Sequence, residues 1–319
     1  MFRTFRIATY ASLLALSGGF AASATAAELN VVASFSIIAD LAKNVGGERV
    51  EVKTLVGPDG DAHVYEPRPA DAVALEAANV VLVNGLELEG FMKRLIETSG
   101  TKAPVVEVTK GIEPLKAEEE HHHDHEGGEK KEAGHEDHHH HHGEFDPHAW
   151  QSIHNGEIYV KNIADAFCET DKAGCATYTA NAEAYLAKLE ALEKDVKAAI
   201  AEIPADKRTI ITTHDAFGYF EHDYGLKFIA PEGISTEAEA SAADVAKLID
   251  QVKEDKASAL FLENITNPRL IEQISAETGI KVGGTLYSDA LSGEDGPAST
   301  YIDMFRHNVK TLKAAILGS

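Results

Sequence analysis

Residues 29–56 read LNVVASFSIIADLAKNVGGERVEVKTLV, and this stretch decides the fold. Leu29 to Phe35 is apolar and rich in β-branched residues, as a strand buried on both faces requires. Ser36 to Val45 then places Ile37, Ile38, Leu41 and Ala42 on one helical face, and Gly46-Gly47 stops the helix. Val50 to Val56 is strand-like again and ends at the turn Gly57-Pro58-Asp59-Gly60. A strand, a helix and a strand with short connections make a parallel β-α-β unit.

The pattern continues along the chain. Asp61 to Pro69 is a loop that leads into a helix near Ala70 to Ala78; Val80 to Asn84 is a strand, Glu87 to Thr98 is expected to be helical, and Val105 to Val108 is a fourth strand. Beyond residue 148 a helix is expected from about Ala149 to Cys168. Tyr178, Ala182, Tyr185, Leu189, Leu192, Val196, Ile200 and Ile203 then repeat at helical spacing. A rod of that extent is about 40 Å long at 1.5 Å per residue, more than one small lobe needs. A second α/β set follows it: strands at Thr209 to Thr213, Leu226 to Ala230, Ala259 to Glu263 and Lys281 to Leu286, with helices at Ala243 to Lys253, Leu270 to Thr278 and Thr300 to Leu317. The expected architecture is two α/β lobes with mainly parallel sheets, residues 28–117 with 145–170 and residues 204–319, joined by one long helix at 176–203.

Two segments stand outside this pattern. Residues 1–27 carry Arg3 and Arg6, an apolar run from Ile7 to Phe20 too short to span a bilayer, and the small residues Ala24-Thr25-Ala26-Ala27. That is the layout of a cleavable secretory signal, and the mature chain is expected in the periplasm. Residues 118–144 hold His121, His122, His123, His125, His135, His138, His139, His140, His141 and His142, ten of the chain's 16 histidines. Ten carboxylates against Lys130 and Lys131 give the segment a charge of −8. With almost nothing apolar to bury it is expected to be disordered, and its imidazoles suit capture of zinc, copper or nickel. The overall charge of −23 makes nucleic acid an implausible partner. Cys168 and Cys175, in an oxidising compartment, are expected to form a local disulfide, with a metal pair as the alternative.

Outside the loop only six histidines remain: His63, His148, His154, His214, His222 and His307. A lone histidine after a strand is more often a polar surface residue than a ligand. His63 and His214, however, both follow strands, as does Asp289, and His148 leads into a helix. In open parallel sheets ligands bind beyond the carboxyl ends of the strands, so two facing lobes would bring these four together. Three imidazoles and a carboxylate suit tetrahedral zinc. Glu263, ending an apolar strand, could orient His214, cap a helix or reach solvent.

Over essentially the whole mature chain the sequence resembles the periplasmic solute-binding proteins that serve zinc and manganese ABC importers, the cluster A-I family. The resemblance rests on Asp61-Ala62-His63-Val64-Tyr65-Glu66-Pro67, Asn84-Gly85-Leu86-Glu87-Leu88-Glu89 and Asp146-Pro147-His148-Ala149-Trp150. It continues in Thr213-His214-Asp215-Ala216-Phe217-Gly218-Tyr219-Phe220, Tyr287-Ser288-Asp289-Ala290-Leu291 and Tyr301-Ile302-Asp303-Met304. It implies two lobes joined by a rigid helix, a metal between them, and no enzymatic activity. It implies His63, His148, His214 and Asp289 as ligands. Manganese members carry a glutamate where His214 stands, so the third imidazole favours zinc; some zinc members leave the fourth position to water or a loop carboxylate. Zn2+ is thus the expected cargo, with one tight site in the cleft and weaker ones in the loop. The implied partners are the importer's membrane permease and a periplasmic zinc metallochaperone, and the chain is expected to be monomeric. Three alternatives remain at this level: a manganese-binding protein, an adhesin on the same scaffold, and a secreted zinc hydrolase, which would need an open coordination position. Binding through imidazoles is expected to weaken as pH falls through about 6.5.

Overall fold

The computed structural model describes residues 29–117, 143–238, 240–255 and 257–318. The expected signal segment, and the loop histidines from His121 to His142, lie outside the described residues.

The first sheet contains β1 (Leu29–Phe35), β2 (Val50–Val56), β3 (Val80–Val83) and β4 (Val105–Glu107) in the order β2-β1-β3-β4. The second contains β5 (Thr209–Ile211), β6 (Lys227–Ile229), β7 (Ala259–Glu263) and β8 (Val282–Leu286) in the order β6-β5-β7-β8. Every pairing in both sheets is parallel. The same order in each sheet makes two α/β lobes of like design. The central strands β1 and β3 are buried almost throughout, which is why their sequences are mostly apolar, while the edge strand β2 alternates at its start.

The helices in chain order are α1 (Ser36–Gly46), α2 (Pro69–Ala77), α3 (Met92–Ser99), α4 (Ile153–Thr170), α5 (Cys175–Ala201), α6 (Gly218–Tyr224), α7 (Ala242–Asp255), α8 (Arg269–Thr278) and α9 (Tyr301–Leu317). Among the described residues no helix is long and apolar enough to cross a membrane. Helix α5, 27 residues long, is the expected rod, beginning a turn earlier than its apolar repeat. Its buried stripe, Tyr178, Ala182, Tyr185, Leu189, Leu192, Val196 and Ile200, packs on α1, α4 and α9. One continuous apolar cluster runs from Val31 and Phe35 through this stripe to Phe261 and Phe305, so the lobes share a core. Each sheet packs its other face on a small cluster of its own, around Val32, Leu75 and Val81 in one lobe and Ile211, Ile249 and Leu260 in the other. A shared close-packed core resists large rotation of one lobe against the other. The Cys168–Cys175 disulfide ties the end of α4 to the start of α5.

Helix α6 was not among those expected, and two expected helices start elsewhere. The segment expected to be helical from Glu87 starts only at Met92, because Leu86 and Glu87 take left-handed φ values of 53° and 64°. The cause lies in Glu89, whose buried carboxylate accepts the main-chain N–H groups of Asn84 and Gly85 and the Ser34 hydroxyl. Satisfying those groups folds the chain back on itself instead of letting it wind. The helix expected from Ala149 is broken at Ser152. A 3-10 turn covers Ala149–Gln151, and Ser152, in extended conformation, caps α4 by accepting the Asn155 N–H.

Candidate metal centre

The sequence positions His63 through an aspartate two residues earlier. After β2 the chain turns at Asp59, and Asp61 Oδ1 accepts the His63 N–H at 2.8 Å. The same device recurs at His148. Asp146 Oδ1 accepts the His148 N–H at 2.9 Å and lies 2.7 Å from Nδ1 of the same ring. Asp146 is itself placed from three sides: its N–H donates to Leu115, its carbonyl accepts the Tyr219 hydroxyl, and Pro147 next to it accepts the Asn84 side chain. The third imidazole, His214, follows β5. Glu263, the last residue of β7, accepts the N–H groups of Thr213 and His214 on Oε1 at 2.7 and 2.9 Å. Its Oε2 is 2.6 Å from His214 Nδ1, a close charge contact rather than a directed hydrogen bond. Asp289 follows β8, and the carbonyl just before it, that of Ser288, accepts Trp150 Nε1–H and Gln151 Nε2–H from the first lobe.

These four side chains meet between the lobes. One ligand atom from each lies within 4.8 Å of every other. Asp289 Oδ2 is 3.1 Å from His63 Nε2, 3.2 Å from His214 Nε2 and 3.7 Å from His148 Nε2, and the Nε2 atoms of His63 and His148 are 3.3 Å apart. Donors held tetrahedrally about 2.1 Å from an ion sit about 3.4 Å from one another, so the spacing fits one transition metal. His148, His214 and Asp289 are fully buried, and His63 is 8 % exposed. Asp289 Oδ1, also buried, has no hydrogen-bond partner among the described residues. The Asp146 carboxylate on Nδ1 of His148 fixes the tautomer that leaves that ring's Nε2 lone pair facing inward, as ligation requires.

The charges agree with this reading. Burial alone would pull the His148 imidazole down, but Asp289 and Asp146 outweigh it and push the ring up to about 9. Burial likewise opposes the charged form of His214, yet Glu263 and Asp289 hold it well above the ordinary histidine value. Burial would raise Asp289; His214 and His148 hold it well below the carboxylate range. A buried carboxylate thus gathers positive charge around itself, the arrangement a cation replaces.

The sequence therefore pointed to a set of residues that the fold brings together: His63, His148, His214 and Asp289, with Glu263 behind His214. The other three histidines lie elsewhere. His154 is exposed, His222 pairs with Asp223, and His307 contacts the Thr285 carbonyl. The residue missed was Asp146. Its signal was present, since Asp61-Ala62-His63 and Asp146-Pro147-His148 share the spacing of two that lets an aspartate hold the histidine's N–H.

Two parallel-sheet lobes on a common helix, with a buried three-histidine, one-aspartate cluster between their strand ends, define a metal-binding protein of the two-lobed solute-binding class. A family model described as ZnuA, zinc-uptake complex component A, periplasmic, matches residues 31–315, and the chain belongs to that family. It is 35 % identical over 290 residues to the iron-binding protein YfeA of Yersinia pestis, covering 91 % of this chain and 87 % of that one. It is 34 % identical over 288 residues to the manganese-binding lipoprotein MntA of Halalkalibacterium halodurans, covering 90 % and 88 %. Among solved structures it is similar to the periplasmic zinc binding protein TroA from Treponema pallidum, with a TM-score of 0.80 and 30 % identity over 91 % of this chain and 99 % of that one. The family consists of substrate-binding proteins of ABC transporters, and the chain is one of these rather than an enzyme. The hydrolase alternative is thereby set aside.

Proposed function

We propose that the chain is exported to the periplasm, binds one zinc ion tightly in the cleft, and delivers it to the permease of an ABC importer. The observation that carries this reading is the convergence of three Nε2 atoms and Asp289 Oδ2 in a buried site. A nitrogen-rich donor set of borderline softness suits zinc better than manganese, which prefers more oxygen. The second reading is manganese or iron as cargo, and the names of the relatives at 35 % and 34 % identity favour it. The charge contacts behind two imidazoles serve either metal, so they do not separate the two.

On this reading residues 1–27 are the removed signal, and residues 118–144 form an accessory collector with several weaker sites. The lobes are residues 28–117 with 145–170 and residues 204–319, joined by 176–203. The partners are a membrane permease and a metallochaperone that loads the cleft, and the working form is a monomer. The deciding experiment is metal analysis of protein purified without added metal, followed by competition between zinc, manganese and ferrous iron. One equivalent of retained zinc, undisplaced by excess manganese or ferrous iron, is expected. Displacement by either metal at comparable concentration would assign the cargo to that metal instead.

A further inference from the structure

The three imidazoles of the cleft are not held alike. Asp146 stands behind Nδ1 of His148 and Glu263 behind Nδ1 of His214. Among the described residues no carboxylate lies against Nδ1 of His63, whose Nε2 alone has ionic contact, with Asp289. His63 is also the one with some exposure, and it borders an open cavity whose lining includes Ile234, Ser235 and Glu237. It sits on a loop without regular structure, and what fixes it from its own side is the bond from its main-chain N–H to Asp61 Oδ1.

The other oxygen of Asp61 reaches across the cleft. Asp61 Oδ2 accepts the Thr236 hydroxyl at 2.6 Å. Thr236 belongs to the connection between β6 and α7, and that connection is anchored to the His214 turn by two main-chain bonds, Asp215 N–H to Gly233 and Glu232 N–H to Thr213. A single carboxylate therefore joins the loop of one ligand to the segment pinned beside another, and the same segment, through Ile234 and Ser235, lines the cavity on which His63 opens. The start of the His63 loop has its own ties to the second lobe: Asp59 N–H donates to Leu291, and Asn264 donates to Asp59 Oδ1. Those bonds hold residue 59 in place when the Thr236 bond breaks, so the freedom gained falls on residues 61–63.

The geometry points to Thr236 and Asp61 as positioning residues that act through His63 and set how long the metal stays in the cleft. This inference rests on the metal-site reading above. In it, His63 is the ligand that leaves first, and the Thr236–Asp61 hydrogen bond is the latch that delays its departure. His148 and His214 keep their carboxylate-backed orientation throughout. Loss of one hydrogen bond to a charged acceptor is worth a rate factor on the order of ten or more when the bond must break before release.

The test is zinc release from the full-length exported protein loaded with one equivalent, followed by stopped flow with a colorimetric chelator in excess. Thr236→Val is expected to release zinc roughly tenfold faster than the parent protein, and Thr236→Ser, which keeps the hydroxyl, to stay near the parental rate. Asp61→Ala is expected to speed release as well, and adding Thr236→Val to it to change nothing further, since the bond is already gone. A Thr236→Val protein that releases at the parental rate would overturn the latch. So would a Thr236→Ser protein as fast as Thr236→Val, because the hydroxyl it keeps would then not be what holds the metal. The loading step separates this failure from a deeper one: a parent protein that retains no metal in the cleft overturns the metal-site reading itself.

Discussion

Glu263 Oε2 lies 2.6 Å from Nδ1 of His214, while its other oxygen accepts the two main-chain N–H groups of the turn that carries the ring. One buried carboxylate therefore fixes both the backbone and the charge of a proposed metal ligand. Replacing Glu263 with Gln keeps the volume and removes the charge. Zinc affinity is expected to fall by roughly 10- to 100-fold, the range seen when partners behind a metal-bound histidine are lost. His214→Ala removes a donor outright and is expected to abolish tight binding. Chelator competition on both variants checks this; a Glu263→Gln protein with parental affinity would mean the carboxylate only supports the turn.

The same turn shows what could be read from the chain and what could not. The strands were legible because β1 and β3 are covered on both faces and so contain almost only apolar residues. Helix α5 was legible because one stripe of it meets the shared core. The start of α3 was not, because the left-handed Leu86 and Glu87 are set by Glu89 reaching main-chain groups of Asn84 and Gly85 and the side chain of Ser34, 55 residues away. The four residues of the candidate site, His63, His148, His214 and Asp289, stood at strand ends or beside a helix start and could be named. Thr236 could not, because its partner Asp61 is 175 residues distant and meets it only once two lobes are placed.

The ends of the histidine-rich segment are closed by the fold itself. Lys116 and Phe145 form an antiparallel bridge, Ala117 N–H donates to Glu144, and Asp146 N–H donates to Leu115. Removing residues 118–142 while keeping Gly143 and Glu144 therefore leaves the ladder that presents Asp146 and His148. Such a protein is expected to keep the one tight zinc site and to lose only weaker, additional equivalents. Equilibrium dialysis across a range of free zinc reads both classes, and loss of the tight equivalent would show that the loop supplies ligands to the cleft.

Proton competition is expected to begin at higher pH than free histidine suggests. In the metal-free site Asp289 and Asp146 push His148 up to about 9, and His214 is held higher than an ordinary imidazole by Glu263 and Asp289. A raised imidazole is protonated below its folded value, and zinc needs the neutral ring, so zinc must displace protons throughout the neutral range. Affinity should weaken steadily between pH 8.5 and 6.5, about tenfold per pH unit for each proton displaced. Competition titrations at closely spaced pH values check the slope. A flat profile down to pH 7 would restore the unperturbed value of about 6.5 expected from sequence.

Stability should carry a separate pH signature from Asp40, where α1 meets α9 and α5. Its carboxylate accepts the Tyr301 N–H at 2.9 Å and bonds with Asn44 on its own helix, with Lys43, Asp303 and Tyr185 nearby. Burial pushes the group up to about 6, against the partial relief given by Tyr301 and Lys43. A carboxyl whose folded value lies above its unfolded value binds its proton more tightly in the folded state. Its contribution is therefore greatest below about 4 and is lost as pH rises through about 6, a change of about 2 to 3 kcal/mol. Asp40→Asn retains an acceptor for the Tyr301 N–H and removes the titration. The difference in unfolding free energy between variant and parent is expected to shift in favour of the variant as pH is raised from 4 to 7, by that same amount. Denaturant melts at matched pH values measure it. A difference that stays constant across the range would mean that Asp40 is solvated well enough to ionise as it does in the unfolded chain.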